Sequence, residues 1–153
     1  MSRVSSAVAV NASVAEVWDY YFDAAGWSAW VDGFGRVETD VGYPEAGGTL
    51  RWSSTPAGRG SVTERVVEHE PRRLHRIEFQ DPETTGQLAV TFAIEGERTM
   101  VTQELDYRLR QGGPFAVVTD RLFIRSQMRG SLHRSLARLK LEVEDVAAGT
   151  QAV

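Results

Sequence analysis

The run GQLAVTFAIEGERTMVTQELDYRL, residues 86–109, admits one antiparallel pairing that satisfies both of its faces at once. A two-residue turn at Gly96 and Glu97 sets Glu95 opposite Arg98, Thr91 opposite Thr102 and Gln87 opposite Asp106 on one side. The other side then opposes Ile94, Phe92, Val90 and Leu88 to Thr99, Val101, Gln103 and Leu105, and this is the side that must turn inward. A single hairpin cannot bury such a face, so the chain has to supply more sheet and a cover for it. Further strand-like runs lie at about 3–10, 34–41, 48–55, 60–70 and 73–80, and after QGGP, residues 111–114, the pattern turns helical to about residue 147. An antiparallel sheet with helices collected on one face is an α+β arrangement. The long helix belongs on the concave side, since nothing else in the chain covers so many inward apolar residues.

Two local readings complete this outline. In NASVAEVWDYYF, Ser13 with Glu16 three residues on is a capping box, and Val14, Val17, Trp18 and Tyr21 follow at helical spacing, with the helix expected to end near Gly26. Trp27 and Trp30 come next in a glycine-flanked segment, read as a loop or a short second helix. A three-residue turn at Pro71, Arg72 and Arg73 would put Glu68 against Arg76 on the water side, and His69 against His75, Val67 against Ile77 and Arg65 against Phe79 within.

The chain has 153 residues, which is most simply one domain over 1–148 with a frayed tail at 149–153. It has no cysteine, which excludes disulfides, thiolate metal sites and cysteine nucleophiles, and its only lysine is Lys140. The formal charge of −4 argues against nucleic acid as a partner. No processing site or membrane-length apolar run is read, so a cytoplasmic protein without integral membrane association is expected, as monomer or homodimer.

Several segments together resemble the SRPBCC superfamily of helix-grip proteins, which includes START lipid-transfer domains, polyketide cyclases and dehydrases, and Bet v 1-like allergens. They are NASVAEVWDYYFD, GWSAWVDGFGRVE, GGTLRWSS, VVEHEPRRLHRIEF and the C-terminal GGPFAVVTDRLFIRSQMRGSLHRSLARLKLEVE. The resemblance implies a curved seven-stranded antiparallel sheet wrapped around a long C-terminal helix, with two short helices after the first strand and a ligand cavity between sheet and helix. It looks most like the small bacterial polyketide cyclase/dehydrase and lipid-transport type, which implies a hydrophobic small-molecule ligand and no cofactor.

Candidate site residues follow from both lines. The resemblance places Trp27 and Trp30 at the roof of the cavity, where indoles supply apolar area and an N–H. Trp52 reads as core with a place in the lining, and Val90, Phe92 and Met128 are carried as further lining. Gln103 and Tyr107 are polar groups on an inward face that a dry core would avoid. Arg65, His75 and Tyr107 are the candidates for acid–base chemistry, in a cyclase, aromatase or dehydratase. Only His133, on the distant helix, could join His69 and His75, so no metal site is expected. On the long helix, Leu132, Leu136, Leu139 and Val143 form a stripe that extends back to Arg125 and Arg129. Arg125 then either meets an acidic ligand group inside or is turned outward, for example by a kink at Gly130. Three functions are weighed: a carrier or sensor of a polyketide, acyl-lipid or isoprenoid type of molecule, an enzyme of the cyclase class, and a regulatory or chaperone-associated protein acting through its surface.

Overall fold

A computed structural model describes residues 2–110 and 123–151. The QGGP segment and the helical pattern expected to follow it directly lie outside the described residues. Seven strands, β1 (Ser2–Val10), β2 (Phe34–Val41), β3 (Thr49–Ser54), β4 (Ser61–Glu70), β5 (Leu74–Gln80), β6 (Thr84–Glu95) and β7 (Arg98–Leu109), form one antiparallel sheet in the order β1-β7-β6-β5-β4-β3-β2. Strands β1 and β2, consecutive in sequence, therefore lie at opposite edges. The connection between them crosses the sheet as helix α1 (Val14–Tyr21), a 3-10 turn (Ala24–Gly26) and helix α2 (Trp27–Trp30). The C-terminal helix α3 (Arg125–Gln151) packs along β1 and against α2. This is the helix-grip arrangement that the family resemblance implies.

Local chemistry explains each element. Ser13 Oγ accepts from the Glu16 backbone N–H at 3.2 Å and donates to the Glu16 carboxylate at 3.0 Å, closing the start of α1. Helix α1 ends at Tyr21, before the expected Gly26, because Asp23 caps a new turn by accepting from Ala25 N–H at 3.1 Å. On α3 the stripe of Leu136, Leu139 and Val143 is buried, as its phase requires. The helix continues to Gln151, beyond the expected end near residue 147.

The β6–β7 hairpin has the register read from its sequence, from Glu95 opposite Arg98 to Gln87 opposite Asp106. Ile94 is a correction: it is 71% exposed instead of interior. Strand β5 stops pairing at Thr91, so the hairpin tip overhangs it and Ile94, paired with Thr99 of β7, has no strand on its other side. The β4–β5 hairpin holds a second correction. Glu68 opposes Arg76 and His69 opposes His75 as expected, but a bulge between Val66 and Glu68 brings Val66 opposite Ile77, Arg65 opposite Glu78 and Glu64 opposite Phe79. Val66 is 1% exposed and Val67 40%, so every residue before the bulge faces the other way from the simple register.

Candidate functional site

A cavity of about 150 Å³ lies between the concave face of the sheet, α2 and α3. Its apolar lining comes from Trp27 and Trp30 of α2, Leu50, Trp52, Ile77 and Phe79 of the sheet, and Met128 and Leu132 of α3. Both α2 indoles are buried, so the short glycine-flanked segment is a packed roof. Trp27 is fixed by its Nε1–H, which donates to the Tyr21 carbonyl at 2.8 Å.

Polar side chains interrupt this lining, Gln103, His75, Glu64, Arg59 and Asp32 among them. Gln103 Nε2 donates to Tyr21 Oη at 2.9 Å, which leaves Gln103 Oε1 without a partner. Trp30 Nε1 and His75 Nε2 are likewise buried without a partner. His75 lies one strand from Val90 and Gln103 two strands away in the same cross-strand row, so the two backbones are about 10 Å apart, twice the interstrand spacing. His75 Nδ1 is 3.0 Å from Nδ1 of His69. Burial, and secondarily His69, holds the His75 imidazole down to about 3, so it is neutral near pH 7. Burial pushes the Tyr21 and Tyr43 hydroxyls up.

Glu64 is the ionisable group the sequence did not disclose. The bulge at Val67 turns it inward, where its Oε2 accepts from Trp52 Nε1–H at 2.7 Å. Burial raises its carboxyl above the usual range, against the opposing pull of that hydrogen bond and of Arg59. Arg59 closes this end of the cavity: its guanidinium stands 5.0 Å from the centre of the Phe79 ring and pairs with Asp81 at 2.8 Å.

The roof is tied to α3 by Asp32, which follows α2. Its carboxylate accepts from Ser131 Oγ at 2.9 Å, from Arg134 Nη2 at 3.0 Å and from Arg138 Nη1 at 3.2 Å, while its backbone N–H donates to Ser135 Oγ at 2.8 Å. Hydrogen bonding from Arg134 is the main cause of a carboxyl held below its ordinary value.

Of the residues singled out from sequence, Trp27, Trp30, Trp52, His75, Gln103 and Met128 line the cavity. Val90, Phe92 and Tyr107 are buried but are not among its lining residues. Phe92 packs on Trp18 of α1 at 4.8 Å between ring centres, and Tyr107 stands opposite Gly86. Two candidates are corrected. Arg65 is on the outer face, bonded to Glu78 at 2.7 Å, because the bulge reverses its strand. Arg125 is exposed in the first turn of α3, with no acidic partner among the described residues, and an unpaired guanidinium is stable only in water. The helix is continuous through Gly130. Among the described residues no group of histidine and acidic side chains could hold a metal ion.

A family model described as "Polyketide cyclase / dehydrase and lipid transport" matches residues 1–144. Solved structures with the same fold include the protein TTHA0849 of Thermus thermophilus, at 21% identity and a TM-score of 0.70, covering 96% of this chain and 99% of that one. Truncated norcoclaurine synthase of Thalictrum flavum matches at 15% identity and a TM-score of 0.67, covering 94% of both chains. DynU16, a protein of the dynemicin biosynthetic locus, matches at 21% identity and a TM-score of 0.66, over 93% of this chain and 47% of its own. No curated protein matches the chain.

Proposed function

Since the chain belongs to the polyketide cyclase/dehydrase and lipid transport family, we propose that it binds a small hydrophobic molecule in the internal cavity, as a cytoplasmic carrier or sensor. The observation that carries this reading is the set of three unpartnered polar atoms, Trp30 Nε1, His75 Nε2 and Gln103 Oε1, on residues that line an otherwise largely apolar space. Leaving each unsatisfied costs about 1–3 kcal/mol, a cost that a ligand with matching groups removes. An apolar cavity of about 150 Å³ takes a benzene-sized molecule. One donor, one acceptor and one group able to act as either suit a ring carrying hydroxyl and carbonyl groups. An acyl chain, polar at one end only, would leave atoms unmatched and would require the roof to open.

Glu64 favours a second reading, in which the same cavity performs acid–base chemistry on its ligand, as in a cyclase or dehydratase. A carboxyl with a raised pKa on an apolar wall is the kind of group such chemistry uses. The third function, action through the surface, has less support, because the exposed large apolar side chains are spread over the molecule, Val41, Val67 and Ile94 on three different strands, Phe123 just before α3, and Leu141 and Val146 five residues apart on it.

The test is mass spectrometry of what co-purifies with the protein, followed by fluorescence titration of the compound found or of ring-sized hydroxy-carbonyl compounds. One compound should bind near one per chain, and Gln103→Leu should weaken it by about 0.5–1.5 kcal/mol, the usual net worth of a hydrogen bond. A protein that carries nothing, and whose affinity for every such compound is indifferent to Gln103→Leu, would sink the reading.

A further inference from the structure

His75 is 3% exposed and lines the cavity, its Nδ1 is occupied by His69, and its Nε2 is the polar atom left to face a ligand. His69, directly opposite on β4, is only half-buried, and its Nε2 has no protein partner among the described residues. Two imidazole nitrogens 3.0 Å apart share one hydrogen, so the neutral pair has two arrangements. With that hydrogen on His69 Nδ1, His75 carries its own on Nε2 and offers the cavity a donor. With it on His75 Nδ1, Nε2 is bare and offers an acceptor, while His69, the more exposed ring of the two, holds its hydrogen on Nε2.

We propose that His69 and His75 form a two-ring proton wire between the cavity and bulk water, serving a ligand with an acidic O–H or an enolisable C–H. The proposal rests on the reading of the cavity as a ligand site. The ligand's O–H or C–H bond breaks and its proton bonds to His75 Nε2. The His75 Nδ1–H bond breaks as a His69 Nδ1–H bond forms, and the His69 Nε2 proton passes to water. The electron pair stays on the ligand as an enolate or phenolate, for which Trp30 Nε1–H is the unpartnered donor. His75 is neutral before and after. A single buried imidazole taking the same proton would end as a cation against Phe22 and Tyr43, whose rings lie 4.7 and 5.5 Å away. That its own pKa is depressed to about 3 makes His75 a poor resting place for a proton and a suitable relay. The acidic groups near this path are Glu45, which acts on His69, and Glu64 on the cavity wall.

With three histidines in the chain, nitrogen-15 spectra of the rings resolve each one. In the unliganded protein near pH 7, a scalar coupling across the Nδ1–H···Nδ1 bond should appear, and both rings should be neutral. Its absence overturns the wire without any need of a ligand. The second readout is deuteration of the methylene of acetylacetone in heavy water, with saturation transfer reporting whether that compound is bound. The enolate leaves the cavity and takes deuterium from the solvent, while water in the emptied cavity accepts the His75 Nε2 proton, the shared hydrogen returns to His75 Nδ1 and solvent reloads His69 Nε2. Wild type should therefore exchange the methylene about 10²-fold faster than His75→Gln, the lower range of general acid–base catalysis, and His69→Gln should fall with His75→Gln while still binding the compound. Full activity in His69→Gln, or bound acetylacetone with no acceleration by wild type, overturns the wire. Failure of acetylacetone to bind counts against the cavity reading, and the coupling measurement still decides the wire.

Discussion

Glu64 and His75 stand on adjacent strands, and burial moves them in opposite directions, the carboxyl up and the imidazole down to about 3. For His75 the folded protein binds fewer protons than the unfolded chain between about pH 6.5 and 3, so its contribution is present above about 6.5 and lost as pH falls. At about 1.4 kcal/mol per unit, several kcal/mol of stability hang on this one ring. Glu64 has the opposite sign: its contribution is present below about pH 4.3 and is lost as pH rises through its folded value. Urea unfolding across the pH range reads both. His75→Gln should flatten the acid limb, and Glu64→Gln should be more stable than wild type at neutral pH and equal to it in acid. An unchanged acid limb in His75→Gln would mean that the imidazole is not held neutral. Gln103 was legible as a site residue because the hairpin charges outside and apolar pairs inside agree on a single register. Glu64 was not, because Val66 and Val67 fit an inward position equally well and only the backbone bulge chooses between them.

For the C-terminal helix, phase was legible from the leucine spacing, but the fate of its arginines was not. Leu139 is 0% exposed and Leu141, two residues on, is 68%. Leu139→Ala should cost about 2–5 kcal/mol, and Leu141→Ala should stay within about 0.5 kcal/mol, as thermal unfolding will show. Arg125→Met belongs with the second, within about 0.5 kcal/mol, since the guanidinium is already in solvent. The basic character of α3 finds its acidic partner in Asp32, two residues beyond the end of α2, and no spacing rule joins positions a hundred residues apart. The arginine side chains of these pairs are 52% and 46% exposed, so Asp32→Asn should cost only about 0.2–1 kcal/mol in stability. Its larger effect should be on the roof: Trp27 and Trp30 fluorescence should become more accessible to a small quencher such as acrylamide, and unchanged quenching would show that packing alone holds α2 down.

At the scale of the whole molecule, all seven strands and the covering helix could be anticipated, because strand alternation and hairpin turns are local patterns. The pairing of β1 with β7 could not be read locally, since it joins Ser2 to Tyr107 and Val10 to Thr99. Loop closure of that length is entropically expensive, so strands β3 to β7, joined by short turns, should pair before β1 does. Pulse-labelled hydrogen exchange during refolding should show protection in the β6–β7 hairpin ahead of protection in β1. Simultaneous protection would contradict this order.

Strand β1, at the edge of the sheet, is hydrogen-bonded to β7 and covered by α3. On the ribosome the strand emerges well before either partner exists. For most of translation its apolar residues Val4 and Val10, both buried in the finished fold, have nothing to pack against. The nascent chain thus carries an unpaired strand that a chaperone can hold or a neighbouring polysome can capture. Premature termination after β7 would leave the cavity's supporting sheet assembled, β1 paired in it, and the face that α3 covers open to water.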